Sequence, residues 1–277
     1  LTDLGLMAPP KDGPAILVWD IETAPGLGWA WEKWNTNVIA WDSDWYMLSV
    51  AYKWLGQKKI EFIGLNQSPD FQQGQCPSCA TPDDRFVVER THFLLDAADV
   101  AVAHNGDRFD IRKVNARFLA HDLGPVSPFS SIDTLKEHRR YFKEPQHSLS
   151  EIGRQLGIGE KEVHTGFDLW RRCMDGDPSA WRDMKKYNVR DVQLLEDAYL
   201  KIRPWIGTPG KAAHPNVGHW EPGTAYVCPK CGHDRVHRRG THRTSFSEFQ
   251  VFHCQGCGGY TRERIRKSQK YDKVGLV

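Results

Sequence analysis

The sequence predicts an α/β protein: a mixed sheet flanked by helices, followed by a small separate unit near the C-terminal end. Three observations carry this. Three strand-like apolar runs follow one another closely near the start, and two later ones are separated by helical stretches. Strands joined by short turns pair antiparallel, while strands separated by a helix tend to be parallel. A Pro- and Gly-rich stretch over 205–224 then divides this body from a Cys-containing end.

The elements follow in order. Residues 1–13 contain Pro and Gly and read as a loose lead-in. The first strand is the apolar run around 15–22. Residues 24–44 read as a loop carrying Trp29, Trp31, Trp34 and Trp41, which either stack on bases or pack the loop against the body. Residues 46–54 and 59–65 read as a hairpin turned near Gly56. Residues 66–84 are polar, hold Cys76 and Cys79, and read as a loop insertion. A helix is expected over 84–97, a strand over 99–104, a helix over 110–121 and a short strand over 130–133. Helices are expected over 134–142, 148–156 and 178–202.

Bulk properties narrow the function. Of 277 residues, 40% are hydrophobic and 26% charged, as in ordinary soluble globular chains. No apolar run approaches the roughly 18–20 residues of a membrane span, and no signal pattern is visible. The net charge of +2 is uneven: residues 228–277 hold 11 Lys and Arg against 4 Asp and Glu, which puts +7 there and −5 on the remainder. A basic end on an acidic body suits a polyanionic partner, or is a solvated surface. Seven cysteines, four of them in two tight pairs, suit reduced, metal-binding thiols in a cytoplasmic protein.

The first strand carries the most chemistry. Asp20 and Glu22 stand two apart in Ile16-Leu17-Val18-Trp19-Asp20-Ile21-Glu22-Thr23. On a strand such residues share a face. Two carboxylates on an apolar strand repel and are costly to desolvate unless a cation joins them, and Mg²⁺ or Mn²⁺ prefers carboxylate oxygens. The alternative is a strand end where both acids face water. Asp110 lies where the strand over 99–104 gives way to a helix, and Tyr187 and Asp191 are four apart on one face of the last helix. Asp110 is also a good helix cap, Tyr187 a good core aromatic and Asp191 a good solvated acid. Asp107 competes with Asp110, and Asp133 is either near the site or a cap.

The pattern Asp-x-Glu, Asn-x3-Phe-Asp, Tyr-x3-Asp stands here as Asp20/Glu22, Asn105/Phe109/Asp110 and Tyr187/Asp191. It resembles the three motifs of the DEDD 3′→5′ exonucleases. Lys186 stands where the histidine subclass has His, so the likeness is to the tyrosine subclass. The resemblance covers roughly residues 14–203 and extends to phage and bacterial ribonuclease H-like exonucleases with a long C-terminal tail. It implies a ribonuclease H-like, mixed five-stranded sheet flanked by helices. It also implies two Mg²⁺ or Mn²⁺ ions, with Asp20 bridging both, Glu22 and Asp191 completing the water-activating site and Asp110 on the second. Tyr187 would orient the attacking water, since a phenol with an ordinary pKa near 10 is a poor base. Asn105 is expected to touch substrate.

Cys228-x2-Cys231 and Cys254-x2-Cys257 enclose 22 residues. Two such pairs can close a tetrahedral Zn²⁺ site, and the segment resembles a zinc ribbon. About 50 residues bury little core alone, so metal would hold this unit together. His233 and His253 are alternative ligands that four thiols make unnecessary. Arg239, Arg243 and Arg262, with Phe246 and Tyr260, suit phosphate contact and base stacking; a structural or protein-docking tail is the alternative. Cys76 and Cys79 lack a partner pair: Cys173 or His92 would have to complete a second site, and the alternative is free thiols on a loop. His147, Ser148 and His164 are further substrate candidates, with Ser148 equally a cap.

The resulting expectation is a lead-in over 1–13, an exonuclease domain over 14–206, a linker over 207–223, and a zinc ribbon with basic tail over 224–277. The expected reaction is two-metal 3′→5′ hydrolysis of DNA, from single-stranded ends, releasing nucleoside 5′-monophosphates. RNA-directed or endonucleolytic cleavage by the same fold, or a non-catalytic binding adaptor, are the alternatives. Docking to replication, repair or recombination proteins is a further expectation, and no membrane partner is expected.

Overall fold

The computed structural model describes residues 4–11, 13–34, 37–71, 82–162, 165–207, 227–244 and 247–264. The chain divides into two compact units, Leu1–Ile202 and Arg203–Val277. The strands of the first are β1 (Ile16–Ala24), β2 (Leu27–Trp29), β3 (Ala40–Ser43), β4 (Tyr46–Trp54), β5 (Glu61–Gly64), β6 (Val100–Ala103) and β7 (Ser130–Asp133). Its helices are α1 (Arg85–Asp96), α2 (Asp110–Ala120), α3 (Thr134–Tyr141), α4 (Leu149–Leu156), α5 (Phe167–Met174) and α6 (Pro178–Ile202).

Five strands form one mixed sheet in the order β5-β4-β1-β6-β7. β1 pairs antiparallel with β4 and parallel with β6; β4–β5 is antiparallel and β6–β7 parallel. β4 is buried at every position, as befits an interior strand covered on both faces. Val18, Trp19, Leu48 and Tyr52 form part of the core. The mixed sheet and flanking helices are those expected from the spacing of strands and helices.

The long helix α6 begins on Pro178, whose missing N–H costs nothing there. Asp177 accepts from the amides of Ser179 (2.7 Å) and Ala180 (3.4 Å), satisfying orphan donors of the first turn. Trp181, Met184, Asn188, Asp191, Leu195, Ala198 and Ile202 recur three or four apart and are buried. That face packs on β1, β4 and β5. Ser148 caps α4 through the amide of Glu151, and Gly157 ends it in the left-handed conformation.

Three sequence readings are corrected. Residues 24–44 are not simply a loop: β2 and β3 pair antiparallel there, with Leu27 opposite Ser43 and Trp29 opposite Ala40. Their clustered Trp and Gly lack the polar–apolar alternation that marks a strand. Helix α5 was not expected, because eight residues are too few to show a helical period. The lead-in is not loose: the Met7 amide donates to the Tyr52 hydroxyl (2.9 Å), the Trp54 indole donates to the Met7 carbonyl (2.9 Å), and Leu6 is buried. Cys76, Cys79, His164, Phe246 and almost all of the expected linker lie outside the described residues.

The second unit carries a three-stranded antiparallel sheet, β8 (Val236–Arg243), β9 (Glu248–Cys254) and β10 (Tyr260–Arg264), with β9 central. Among the described residues no helix is long and apolar enough to cross a membrane.

A buried ion pair joins sheet to helix: Lys53 Nζ on β4 lies 2.5 Å from Glu196 Oε2 on α6, and both side chains are almost fully covered. Removing one partner strands a buried charge. Glu196→Ala should therefore destabilise the fold by about 3–5 kcal/mol, read as a shifted urea midpoint with an unchanged m-value.

Candidate active site

Asp20 and Glu22 leave β1 on one face, opposite Ala51 and Ser49 of β4, just before a register shift at Glu22/Thr23. Helix α6 covers this face. Its Asn188 donates Nδ2–H to Asp20 Oδ2 (2.8 Å) and accepts from the Ser49 hydroxyl (3.0 Å). Ser49, Asn188 and Asp20 therefore form one hydrogen-bonded chain that fixes the Asp20 carboxyl. Glu22 is held by the indole N–H of Trp170 on α5 (3.1 Å). The Trp170 ring in turn meets Tyr187 edge to face at 5.7 Å.

Asp110 is the first residue of α2 and is buried. Its Oδ1 accepts from the amide of Ile21 (3.3 Å), the residue between the two strand acids. The loop before it is tied down by Asp133, which caps α3 and also accepts from the amides of Asn105 (2.9 Å) and Asp107 (3.4 Å). Asn105 adopts a left-handed conformation there (φ 66), which Asn tolerates better than most residues. Asp107 turns away, to Ser131 and Lys136, each at 2.5 Å.

Carboxylate oxygens of Asp20, Glu22 and Asp191 all lie within 4.8 Å of one another. The electrostatics follow from burial and crowding. Burial, then the charges of Asp110, Glu22 and Asp191, hold the Asp20 carboxyl well above the usual carboxylate range. Burial and then Asp191 push Glu22 up to about 8. Burial raises Asp110 to about 7 against the pull of the Ile21 amide. Burial, then Glu22, Asp191 and Asp20, push the Tyr187 phenol far above its ordinary value. A phenol so raised keeps its proton and can only donate or accept hydrogen bonds at ordinary pH.

Two residues that spacing did not reveal complete the site. Asn188 is one. Lys161 is the other: its Nζ lies 2.5 Å from Asp191 Oδ2 and 3.5 Å from the Tyr187 hydroxyl. It stands in the α4–α5 connection, which Arg190 of α6 anchors through the Glu160 carbonyl (2.9 Å). No motif links a loop lysine to acids on β1 and α6, so only folding brings them together.

The donor set fits hard divalent cations. The groups that could ligate are all carboxylate oxygens, and burial above all keeps Glu22 and Asp110 raised even with Lys161 against Asp191. Asp20, Glu22, Asp191 and Asp110 are the residues that would hold such ions.

The second unit holds Cys228, Cys231, Cys254 and Cys257 together. Two matching turns present them. Gly232 donates to the Cys228 carbonyl (2.8 Å) and Gly258 to the Cys254 carbonyl (3.0 Å), with φ of 73° and 74°. Sulfur separations are 3.8 Å for Cys228–Cys257 and 3.7 Å for Cys231–Cys254. Four thiolates about 2.3 Å from a tetrahedral Zn²⁺ would lie about 3.8 Å apart, so the set fits zinc. His233 accepts instead from the Arg235 amide (3.0 Å), and the His253 ring packs against Tyr260 (4.7 Å).

The remaining candidates are spread out. Arg239 is exposed on β8, Arg243 pairs with Glu248 (3.0 Å) and Arg262 lies over the Phe249 ring (4.6 Å). His147 meets the His138 ring (2.8 Å), His92 the Gly124 carbonyl (2.9 Å), and Cys173 is buried in α5.

Comparison with known proteins places this architecture. A search of curated proteins finds no match. Among solved structures, the family B DNA polymerase from the hyperthermophilic archaeon Pyrobaculum calidifontis is similar, with 16% identity and a TM-score of 0.48 over 71% of this chain. The chain spans only 26% of that polymerase. The model of the RNase_H superfamily matches residues 63–202, which include Asp110, Tyr187 and Asp191 but not β1. With that match over half its length and a ribonuclease H-like mixed sheet beneath it, the chain belongs to the RNase_H superfamily.

Proposed function

We propose that this chain is a metal-dependent 3′→5′ exonuclease of the DEDD tyrosine subclass, acting on single-stranded DNA ends and releasing nucleoside 5′-monophosphates. The observation that supports it is the convergence of half-buried carboxyls from β1 and buried ones from α2 and α6 with the Tyr187 hydroxyl. When bound, two divalent cations supply an acidified water and neutralise charge on the leaving 3′ oxygen. The protein's own groups do the positioning. Asn188 and Trp170 orient Asp20 and Glu22 through the hydrogen bonds that already hold them. Tyr187 orients the attacking water through its hydroxyl, and its raised phenol keeps the proton it donates. Lys161 offsets part of the negative charge. Asn105, beside this corner, is available to a terminal nucleotide.

The proposed exonuclease domain covers 14–206, with 207–223 as linker. The proposed zinc ribbon over 224–277 contributes substrate affinity through Arg239 and Arg262 and the exposed rings of its sheet; Arg243, paired with Glu248, contributes less. A reducing cytoplasm, and a role beside replication or repair proteins, suits four thiols reserved for zinc.

Three outcomes follow. Asp20→Ala or Asp191→Ala should lower Mn²⁺-dependent release of mononucleotides from end-labelled DNA at least about a thousandfold without lowering the unfolding temperature. Full activity in either variant overturns the reading, and cleavage of a circular strand would make the enzyme an endonuclease. Purified protein should contain about one zinc per chain, and a chelator should expose the thiols to alkylation. Stability without divalent ions should fall as pH rises. Glu22 moves from 4.5 to about 8 and Asp110 from 3.8 to about 7 on folding, so the folded state holds protons that the unfolded chain releases. That contribution is complete below about 4 and lost by about 8; added Mg²⁺ should flatten the slope in thermal unfolding across this range.

A further inference from the structure

The β1–β4 ladder does not stop at the acids. Ala24 pairs with Tyr46, and past Pro25 and Gly26 the pairing resumes with Leu27 opposite Ser43 and Gly28 opposite Trp41. The two strands that present Asp20, Glu22 and Ser49 thus run on into a two-stranded arm. From Glu22 to Leu27 the chain can span at most about 18 Å. The arm is therefore rooted within a few nucleotides of the acids.

Its surface is aromatic and bare. Trp31 and Trp34 are 86% and 72% exposed, and Trp29 and Trp41 are both 64% exposed. Four exposed indoles on one short arm form an apolar patch of the kind that marks a binding surface. Two of these rings are also held in place. A Cβ on Gly26 or Gly28 would lie 2.7 Å or 3.1 Å from the Trp41 ring, so the two glycines make the room that this still largely exposed indole occupies. Trp29, on the opposite face of the arm, is pinned by its N–H to Asp42 Oδ1 (2.7 Å). Lys33 stands 5.2 Å from the Trp34 ring.

A cation stands at the root. Lys113 Nζ sits 3.6 Å from the Trp45 ring and 5.8 Å from the Phe109 ring, while nearby Arg117 is held by Asp84 through Nε (2.8 Å) and Nη2 (2.5 Å). Phe109, just before α2, and Lys113 in its first turn are four apart, next to Asp110. Phe109, Lys113 and Trp45 therefore lead from Asp110 to the root of the arm. Exposed indoles accept any base by stacking, and Lys33 and Lys113 beside them suit phosphates.

We propose that the β2–β3 arm is a stacking platform for the bases of a single-stranded nucleic acid whose end lies at the acid cluster. The proposal rests on the nuclease reading of that cluster. It names the strand's conformation as the specificity determinant: a duplex hides the base faces that the arm requires.

The test is fluorescence anisotropy with labelled oligodeoxythymidylates of increasing length, in an Asp20→Ala background so that the strand survives. Affinity should climb with length until the strand covers the arm. Trp31→Leu/Trp34→Leu and Trp41→Leu should lose roughly tenfold or more on long strands and flatten the climb. Trp→Phe at the same positions should recover most of it. Unchanged affinity in the Leu variants overturns the proposal. So does Leu serving as well as Phe, the behaviour of an apolar protein-docking surface. A concentration-dependent dimer in sedimentation that the Leu variants abolish, with strand affinity intact, would make the arm an interface between two copies. Hydrolysis of a dinucleotide, too short to reach the arm, tests the acid cluster separately. A wild type that binds long strands through the arm but never cleaves the dinucleotide would refute the nuclease reading and not the platform.

Discussion

Mutual repulsion among buried carboxyls is the constraint around which the first unit is arranged. Asp20, Glu22, Asp110 and Asp191 come from three elements and meet in one place, Asp110 and Asp191 buried and Asp20 and Glu22 half-buried. Nothing in hydrophobic packing favours that arrangement; burial and like charge both oppose it. The surrounding structure answers with donors placed one by one: Asn188 to Asp20, Trp170 to Glu22, the Ile21 amide to Asp110, Lys161 to Asp191. Each lends partial or full positive charge, and together they still leave Glu22 and Asp110 raised. The remaining deficit is what divalent cations are suited to fill.

Helix α6 shows how one element serves packing and site together. Trp181, Met184, Leu195 and Ile202 bury its stripe against the sheet, and the same stripe carries Tyr187, Asn188 and Asp191. The hydrophobic residues fix where the helix lies, and that placement aims the polar ones. The Lys53–Glu196 pair adds a further buried restraint between α6 and β4, the strand beside β1. Local unfolding of α6 would therefore dismantle the site before it disturbed the parallel half of the sheet. The tryptophan arm is the counterpart on the solvent side, an extension of the same β1–β4 ladder that carries no core.

The second unit solves a different problem. A three-stranded sheet with few covered apolar groups among the described residues gains little from burial, and Phe252 is the main buried ring among them. Two glycine turns of nearly identical backbone shape bring four sulfurs to tetrahedral spacing. Ligation of a metal by that set would order the unit more than its packing does.

By itself the sequence determined the five-stranded alternation of strands and helices, the separate thiol unit and the order of the acidic motifs. These are properties of local period and spacing, which a chain displays before it folds. It did not disclose the β2–β3 arm, whose pairing depends on glycines receiving a tryptophan across the strands, nor α5, too short to show a period. Trp170 lies on that same helix, and its bond to Glu22, 148 positions away, is a contact between separate elements. Asn188 and Lys161 carry no signature at all. Only the tertiary structure decided that they meet the acids, because hydrogen bonds and charges act through distance in space, and distance along the chain does not report it.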